Sequence, residues 1–206
     1  MLFPFKGMLY AQWQSSAVDE DAPDTRVFYI RSANGKNWLA PVALTEKCGN
    51  VIKTSGGWCS DGEILVAYIN VWPAGDNGPT AGFTEYITSS DGITWQLPLP
   101  VTDRTGDTIP GIIEQDVHAL PGGRLLAAFH IQPGLVAMPY YTDNRLGESG
   151  WRAGKMDSVL LTENGTGRAI EPGWFYRRDS AIIMVFRDQA GSYKKLVSVS
   201  YDNGSS

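Results

Sequence analysis

Apolar runs of strand length follow one another along the whole chain, separated by clusters of Gly, Pro, Asp, Asn and Ser, and none keeps a helical spacing for long. Four of these runs end in an aromatic residue: Leu9 to Trp13, Ile64 to Tyr68, Leu125 to Phe129, and Ile182 to Phe186. Upstream of the last three lies another run, at Val51 to Trp58, Ile112 to Leu120 and Ile170 to Tyr176. The short polar turns between the paired runs, Ser60-Asp61-Gly62, Pro121-Gly122-Gly123 and Arg178-Asp179-Ser180, predict antiparallel hairpins. A third run follows in each unit, at Arg26 to Arg31, Ala81 to Thr88, Val136 to Thr142 and Leu196 to Ser200, and leads into a turn. Those turns close on Trp38, Trp95 and Trp151, and a fourth begins at Ser200.

An interval of about 57 residues between tryptophans, filled with strands, is too long for helical solenoid repeats and fits propeller blades. The expectation is therefore all-β: four-stranded antiparallel blades in an arc of three to four, with units at about 1–45, 46–102, 103–160 and 161–206. The first unit is expected to begin at its second strand and the fourth to lack its last. Such an arc suits part of a larger propeller whose other blades are its missing partners, and its open edges would favour association.

Aligning the units on Trp13, Tyr68, Phe129 and Phe186 puts Lys53, Glu114 and Glu171 at one position, and Gln14, Ile69, His130 and Arg187 at another. The apolar scaffold repeats while the polar residues change. Composition adds limits: 43% hydrophobic residues can build a core, while 23 glycines and 12 prolines leave no room for long helices. A net charge of -5 and the lack of a basic stripe argue against nucleic acid, and no run is long enough to span a membrane. Cys48 and Cys59 are expected as free thiols, and no metal or cofactor motif is present.

The turn residues carry a resemblance. Ser200-Tyr-Asp202-Asn-Gly204-Ser-Ser206 follows the pattern S-x-D-x-G-x-T up to the tryptophan, Thr88-Ser-Ser90-Asp-Gly92-Ile-Thr94-Trp95 follows it with serine for aspartate, and Arg31-Ser-Ala33-Asn-Gly35-Lys-Asn37-Trp38 more loosely. The turn from Thr142 to Trp151 is expanded. They resemble the Asp-box, or BNR, repeat of sialidase-like propellers, and the likeness covers essentially the whole chain. Glu171-Pro-Gly-Trp-Phe and Phe186-Arg-Asp-Gln also look like segments of bacterial sialidase-like proteins. The resemblance implies an exo-alpha-sialidase-type hydrolase acting on acidic sugars, with the Asp-box turns on the face opposite the active site. In that family three arginines hold the substrate carboxylate, a tyrosine activated by a glutamate is the nucleophile, and an aspartate is the acid/base. Only Arg187 has the strand position of such an arginine, and the Phe-Arg-Ile-Pro segment of the family is not in this chain.

The face away from those turns collects first-strand starts and second-strand ends. It would hold Lys53, Glu114, Asp116, Glu171 and Trp174, with Asn70, Trp72, His130, Gln132, Arg187, Asp188 and Gln189. Three functions compete for these residues. A glycoside hydrolase would use two carboxyls among Glu114, Asp116 and Glu171. A polysaccharide lyase on uronic-acid polymers would use His118, His130 and Tyr140 to move protons and Arg187 to neutralise a carboxylate. A glycan- or protein-binding propeller would need only aromatics and hydrogen bonders. In each, Arg187, Asp188, Gln132, Trp174 and Gln189 are the substrate-binding candidates. Each has an ordinary reading too: the glutamates as bonds to a neighbouring blade, His118 as a buried histidine, Arg187-Asp188 as a structural ion pair, and Tyr140 as packing.

Overall fold

The computed structural model describes residues 1–19, 22–74, 81–113, 115–132, 134–156 and 159–206. It is all-β, with four small antiparallel sheets arranged as propeller blades. Blade 1 comprises β1 (Leu2–Phe5), β2 (Met8–Ser15), β3 (Arg26–Ser32) and β4 (Val42–Ala43). Blade 2 comprises β5 (Val51–Ser60), β6 (Leu65–Pro73), β7 (Phe83–Ser89) and β8 (Leu99–Pro100). In blade 3, β9 (Gly111–Ile113) and β10 (His118–Ala119) both pair with β11 (Leu125–Ile131), followed by β12 (Val136–Thr142) and β13 (Arg152–Ala153). Blade 4 comprises β14 (Ala169–Tyr176), β15 (Ile182–Asp188) and β16 (Lys195–Ser200).

Blade 1 corrects one expectation, because it has a first strand. Leu2–Phe5 pairs with β2 through a two-residue turn in which Lys6 and Gly7 both take positive φ, 44° and 76°. Such a primed turn matches strand twist and closes the shortest hairpin. The run is only four residues long and contains Pro4, which hid it as a strand.

The core lies between successive blades. Phe5, Tyr10, Tyr29, Trp58, Ala67 and Ile87 fill the space between blades 1 and 2, while Tyr68, Ile113, Phe129 and Trp151 fill that between blades 2 and 3. Ala128, Ala137, Met184 and Phe186 join blades 3 and 4. Trp95 lies 5.8 Å from the Tyr29 ring and 6.0 Å from Trp58. Trp151 meets Phe129 edge-on at 5.6 Å and is fully buried. Trp95 thus faces blade 1, and Trp151 shares a core cluster with Tyr68 of blade 2. Trp38, at the same place in blade 1, is half-buried like Trp95, so the three are equivalent in position but only Trp151 is fully buried. The outward face of blade 4 leaves Phe175, Val197 and Val199 exposed.

The turns are held by one hydroxyl and one acid or amide; in the fourth these are Ser200 and Asp202, as the sequence pattern had them, but in the turns closed by Trp38 and Trp95 they stand one residue further along. Ser89 Oγ accepts from Gly92 N at 2.8 Å, and Asp91 Oδ1 accepts from Ile93 N and Thr94 N at 2.8 and 2.7 Å. Ser32 and Asn34 make the same bonds to Gly35, Lys36 and Asn37. Thr88, Ser90, Arg31 and Ala33 therefore do not fill those roles. The backbone bonds hold the Asp91 carboxyl well below the usual carboxylate range. Gly92 has φ of 69°, and a Cβ there would come within 2.0 Å of the Tyr10 hydroxyl of the preceding blade. Gly92→Ala is expected to destabilise by about 2 kcal/mol, combining left-handed strain with overpacking. Gly62→Ala, where φ is 97° but nothing lies near, carries the strain alone. A thermal melt in which the two variants fall equally would show that the Tyr10 contact does not matter.

Candidate functional site

Strand register defines the site more sharply than spacing did. Leu9, Leu65, Leu125 and Ile182 pair with Ser32, Ser89, Thr142 and Ser200, the residues that open the four tryptophan turns. Counting along the second strands from these fixed points, Gln14, Asn70, His130 and Arg187 are equivalent. The alignment on aromatics had put Ile69 in place of Asn70. Ile69, not Tyr68, matches Trp13, Phe129 and Phe186.

The first three members of this series do one job with different chemistry. Gln14 Oε1 accepts from Ser55 N of blade 2 at 3.3 Å. Asn70 Oδ1 accepts from Ile113 N of blade 3 at 3.1 Å, and its Nδ2 donates to Ile113 O at 2.6 Å. His130 Nε2 accepts from Glu171 N of blade 4 at 3.3 Å. Each side chain reaches from the end of one second strand to the first strand of the next blade and accepts from a backbone amide there; Ser55 and Ile113 are paired residues of their ladders, while Glu171 falls in the break between Ile170 and Gly173. Ser55, Ile113 and Glu171 are thus the equivalent first-strand residues. Lys53 lies two residues before Ser55, opposite Val71, and ion-pairs with Glu85 at 3.8 Å. Lys53 and Glu171 therefore do not share a register. Glu114 lies outside the described residues.

Arg187 is the fourth member, and it is a cation. Its Nη1 donates to Glu171 Oε1 at 2.6 Å, and both side chains are about half exposed, 55% and 46%. Glu171 occupies a bulge between Ile170 and Gly173 with φ of 49°, a conformation a glutamate adopts only when its surroundings hold it there. The structure thus brings His130, Glu171 and Arg187 together. They stand at the ends of β11 and β15 away from the tryptophan turns, five residues or roughly 16 Å along the strand.

A second group lies at the first strands of blades 3 and 4, with Asp116 in the break between β9 and β10, His118 on β10 and Trp174 on β14. Asp116 is half-buried, 3.1 Å from where a Cβ on Gly57 would be, and the His118 ring meets Trp174 at 5.0 Å. Burial raises the Asp116 carboxyl, with the chain's amino group and His118 opposing. His118 is exposed rather than buried in a strand interior, and desolvation by its neighbours lowers it against the charge of Asp116. A protonatable carboxyl near an imidazole can exchange protons with a sugar, and Trp174, which meets that imidazole edge-to-face and packs partly into the core between blades 3 and 4, adds an aromatic surface beside it.

The remaining candidates are placed elsewhere or already engaged. Tyr140 packs on Phe129 at 4.9 Å in the core between blades 2 and 3, three pairs from His130 along β12. Burial raises its hydroxyl. Asp188 takes both Arg168 nitrogens, Nε and Nη2, at 2.6 Å and also accepts from Ser192 Oγ. Its ion-pair partner is therefore Arg168 and not the adjacent Arg187, and sequence reasoning missed Arg168, which stands twenty residues away. Gln189 contributes a backbone bond to Arg168 O, and Gln132 one to Pro110 O, while the Gln132 Nε2 is buried with no hydrogen bond. Trp72 is core, its Nε1 donating to Thr54 Oγ1 at 3.2 Å.

The Arg168 guanidinium, then Ser192, holds the Asp188 carboxyl well below the usual carboxylate range. A carboxyl depressed in the fold contributes stability above its unfolded value and loses it as pH falls. The melting temperature should therefore drop as pH is taken from about 5 toward 2, with a shallower drop in Asp188→Asn. Parallel curves for the two proteins would remove Asp188 from the acid response.

Cys48 is free and exposed and Cys59 free and buried, burial pushing the Cys59 thiol up to about 11. Among the described residues no group of three or more His, Cys, Asp or Glu could hold a metal ion, and no helix is long and apolar enough to cross a membrane.

With the blades and turns established, family membership follows: the BNR repeat-like domain matches residues 7–206, and the chain belongs to that family. Comparison with curated proteins finds no match. Among solved structures, the chain is similar to the intramolecular trans-sialidase from Ruminococcus gnavus, in complex with oseltamivir carboxylate (TM-score 0.74, 12% identity, 99% of this chain and 68% of that one). It is also similar to a Hadza microbial sialidase (TM-score 0.73, 15% identity, 100% and 44%) and to Bombyx mori beta-fructofuranosidase in complex with sucrose (TM-score 0.63, 15% identity, 98% and 46%). At these identities the likeness is one of fold. The chain spans less than half the length of the Hadza sialidase.

Proposed function

We propose that this chain belongs to a sialidase-like, glycan-processing propeller acting on acidic sugars, and that Arg187 binds the sugar's carboxylate. One observation carries the reading. Gln14, Asn70 and His130 present an acceptor to the next blade's amide, but a guanidinium has five donors and no acceptor, so Arg187 cannot do their job. An exposed, preoriented arginine in that place fits a carboxylate, which it can meet with a two-pronged pair. Glu171 orients it from one side and leaves donors for a ligand on the other. Asp116 is the proposed proton donor, its raised carboxyl suiting an acid, and Trp174 with His118 the sugar-stacking surface.

The exposed His118 ring favours one other reading, a lyase in which it takes the proton beside a uronic carboxylate. Two assays on the intact protein separate the readings. A fluorogenic sialoside should release its fluorophore while uronic-acid polymers show no growth in ultraviolet absorbance. The opposite pair of results would establish the lyase, and binding without either signal a glycan-binding module.

A further inference from the structure

We infer that His130 is a positioning residue for Arg187, acting through the backbone of Glu171. The inference rests on the reading of Arg187 as the anion-binding group. His130 is almost fully buried, at 3% exposure, and its Nε2 accepts the Glu171 N–H. The equivalent amides, held by Gln14 and Asn70, belong to Ser55 and Ile113, and neither of those residues is at positive φ. Glu171 is, at 49°, and Pro172 follows it, which narrows its backbone choices further. The same clasp that merely joins blades elsewhere therefore holds a strained residue here. That residue's carboxylate is 2.6 Å from the Arg187 guanidinium. Releasing the amide lets the bulge relax toward ordinary φ, turns the carboxylate away, and frees the arginine to many rotamers. An ordered guanidinium then has to be restored by the ligand, at a cost in affinity.

The repeat supplies its own conservative substitute, since Gln14 performs the clasp in blade 1 with an amide oxygen. Four variants of the intact protein, His130→Gln, His130→Leu, Gln14→Leu and Arg187→Ala, are titrated with 3'-sialyllactose, with lactose as the neutral reference. Amide exchange at Glu171 is followed in each. His130→Leu should speed that exchange and weaken binding about tenfold, in line with loss of one hydrogen bond near a charged group. His130→Gln should keep the amide protected and the affinity within about threefold. Gln14→Leu should lower the melting temperature yet bind normally, because its clasp lies between blades 1 and 2. The inference is overturned if His130→Leu binds like the wild type, if His130→Gln loses as much as His130→Leu, or if Gln14→Leu weakens binding equally. Should His130→Leu not fold, an unprotected Glu171 amide in wild type or in His130→Gln overturns it as well. If Arg187→Ala binds like the wild type, the anion-binding reading falls, and Glu171 exchange decides the clasp alone.

Discussion

Trp151→Ala is expected to destabilise the protein by about 3 to 5 kcal/mol, lowering the melting midpoint by on the order of 10 °C for a chain of this size. The indole is fully buried, meets Phe129 edge-on at 5.6 Å and donates Nε1 to Gly147 O at 2.8 Å. Its neighbours Tyr68, Val101 and Ile113 come from three different stretches of chain, so no single segment can collapse into the space it leaves. The turn beside it is pinned as well, the Tyr68 hydroxyl donating to Leu146 O at 2.9 Å. Trp38→Ala should cost far less, about 1 kcal/mol, since that ring is only half-buried. Equal shifts in the two variants would mean that the turns, and not the spaces between blades, set the value of these tryptophans.

Much of the fold was legible because it repeats. Hydrophobic runs, hairpin turns and the tryptophan interval each recur, so an error in one unit was checked by the others, and the third strands fell within a residue or two of their expected limits. The site was less legible for a reason particular to strands. Side chains alternate faces, so a one-residue slip exchanges the two sides of a strand. Choosing Tyr68 as the counterpart of Phe129 made that slip in blade 2 alone. It put Ile69 beside Gln14, His130 and Arg187, and made that position look unrelated from blade to blade. In the correct register the position is polar throughout, and three of its four members bond the next blade. The uneven first strands, broken between Ser55 and Gly57 and again between Ile170 and Gly173, could not be counted from sequence and carried Lys53 out of line with Glu171. The ion-pair partner of Asp188 was hidden for a related reason: its neighbour in sequence, Arg187, bonds Glu171 instead, and its partner Arg168 sits on the adjacent strand end.

Arg187→Ala is expected to weaken binding of a carboxylated sugar by about 2 to 5 kcal/mol when the ligand carboxylate is desolvated against the guanidinium. In the free protein the Arg187–Glu171 pair is half exposed, so its own contribution to stability is small and the variant should fold normally. The ligand changes the balance. A sugar seated over the pair excludes water, places a second carboxylate on the same guanidinium, and depends on it for charge neutralisation. Removing the arginine leaves that carboxylate facing Glu171 with no cation between them. The same logic gives Glu171→Gln the opposite tendency in charge, since it removes a competing anion, while its amide oxygen can still orient the arginine. Its affinity should therefore stay near that of the wild type and depend less on salt. Lys36→Ala, on the exposed tip of a tryptophan turn at the other end of the strands, should leave binding unchanged. A titration at two salt concentrations checks all three. If Arg187→Ala and Lys36→Ala alter the affinity equally, the acidic-sugar assignment fails, because a general loss of positive charge would then account for both.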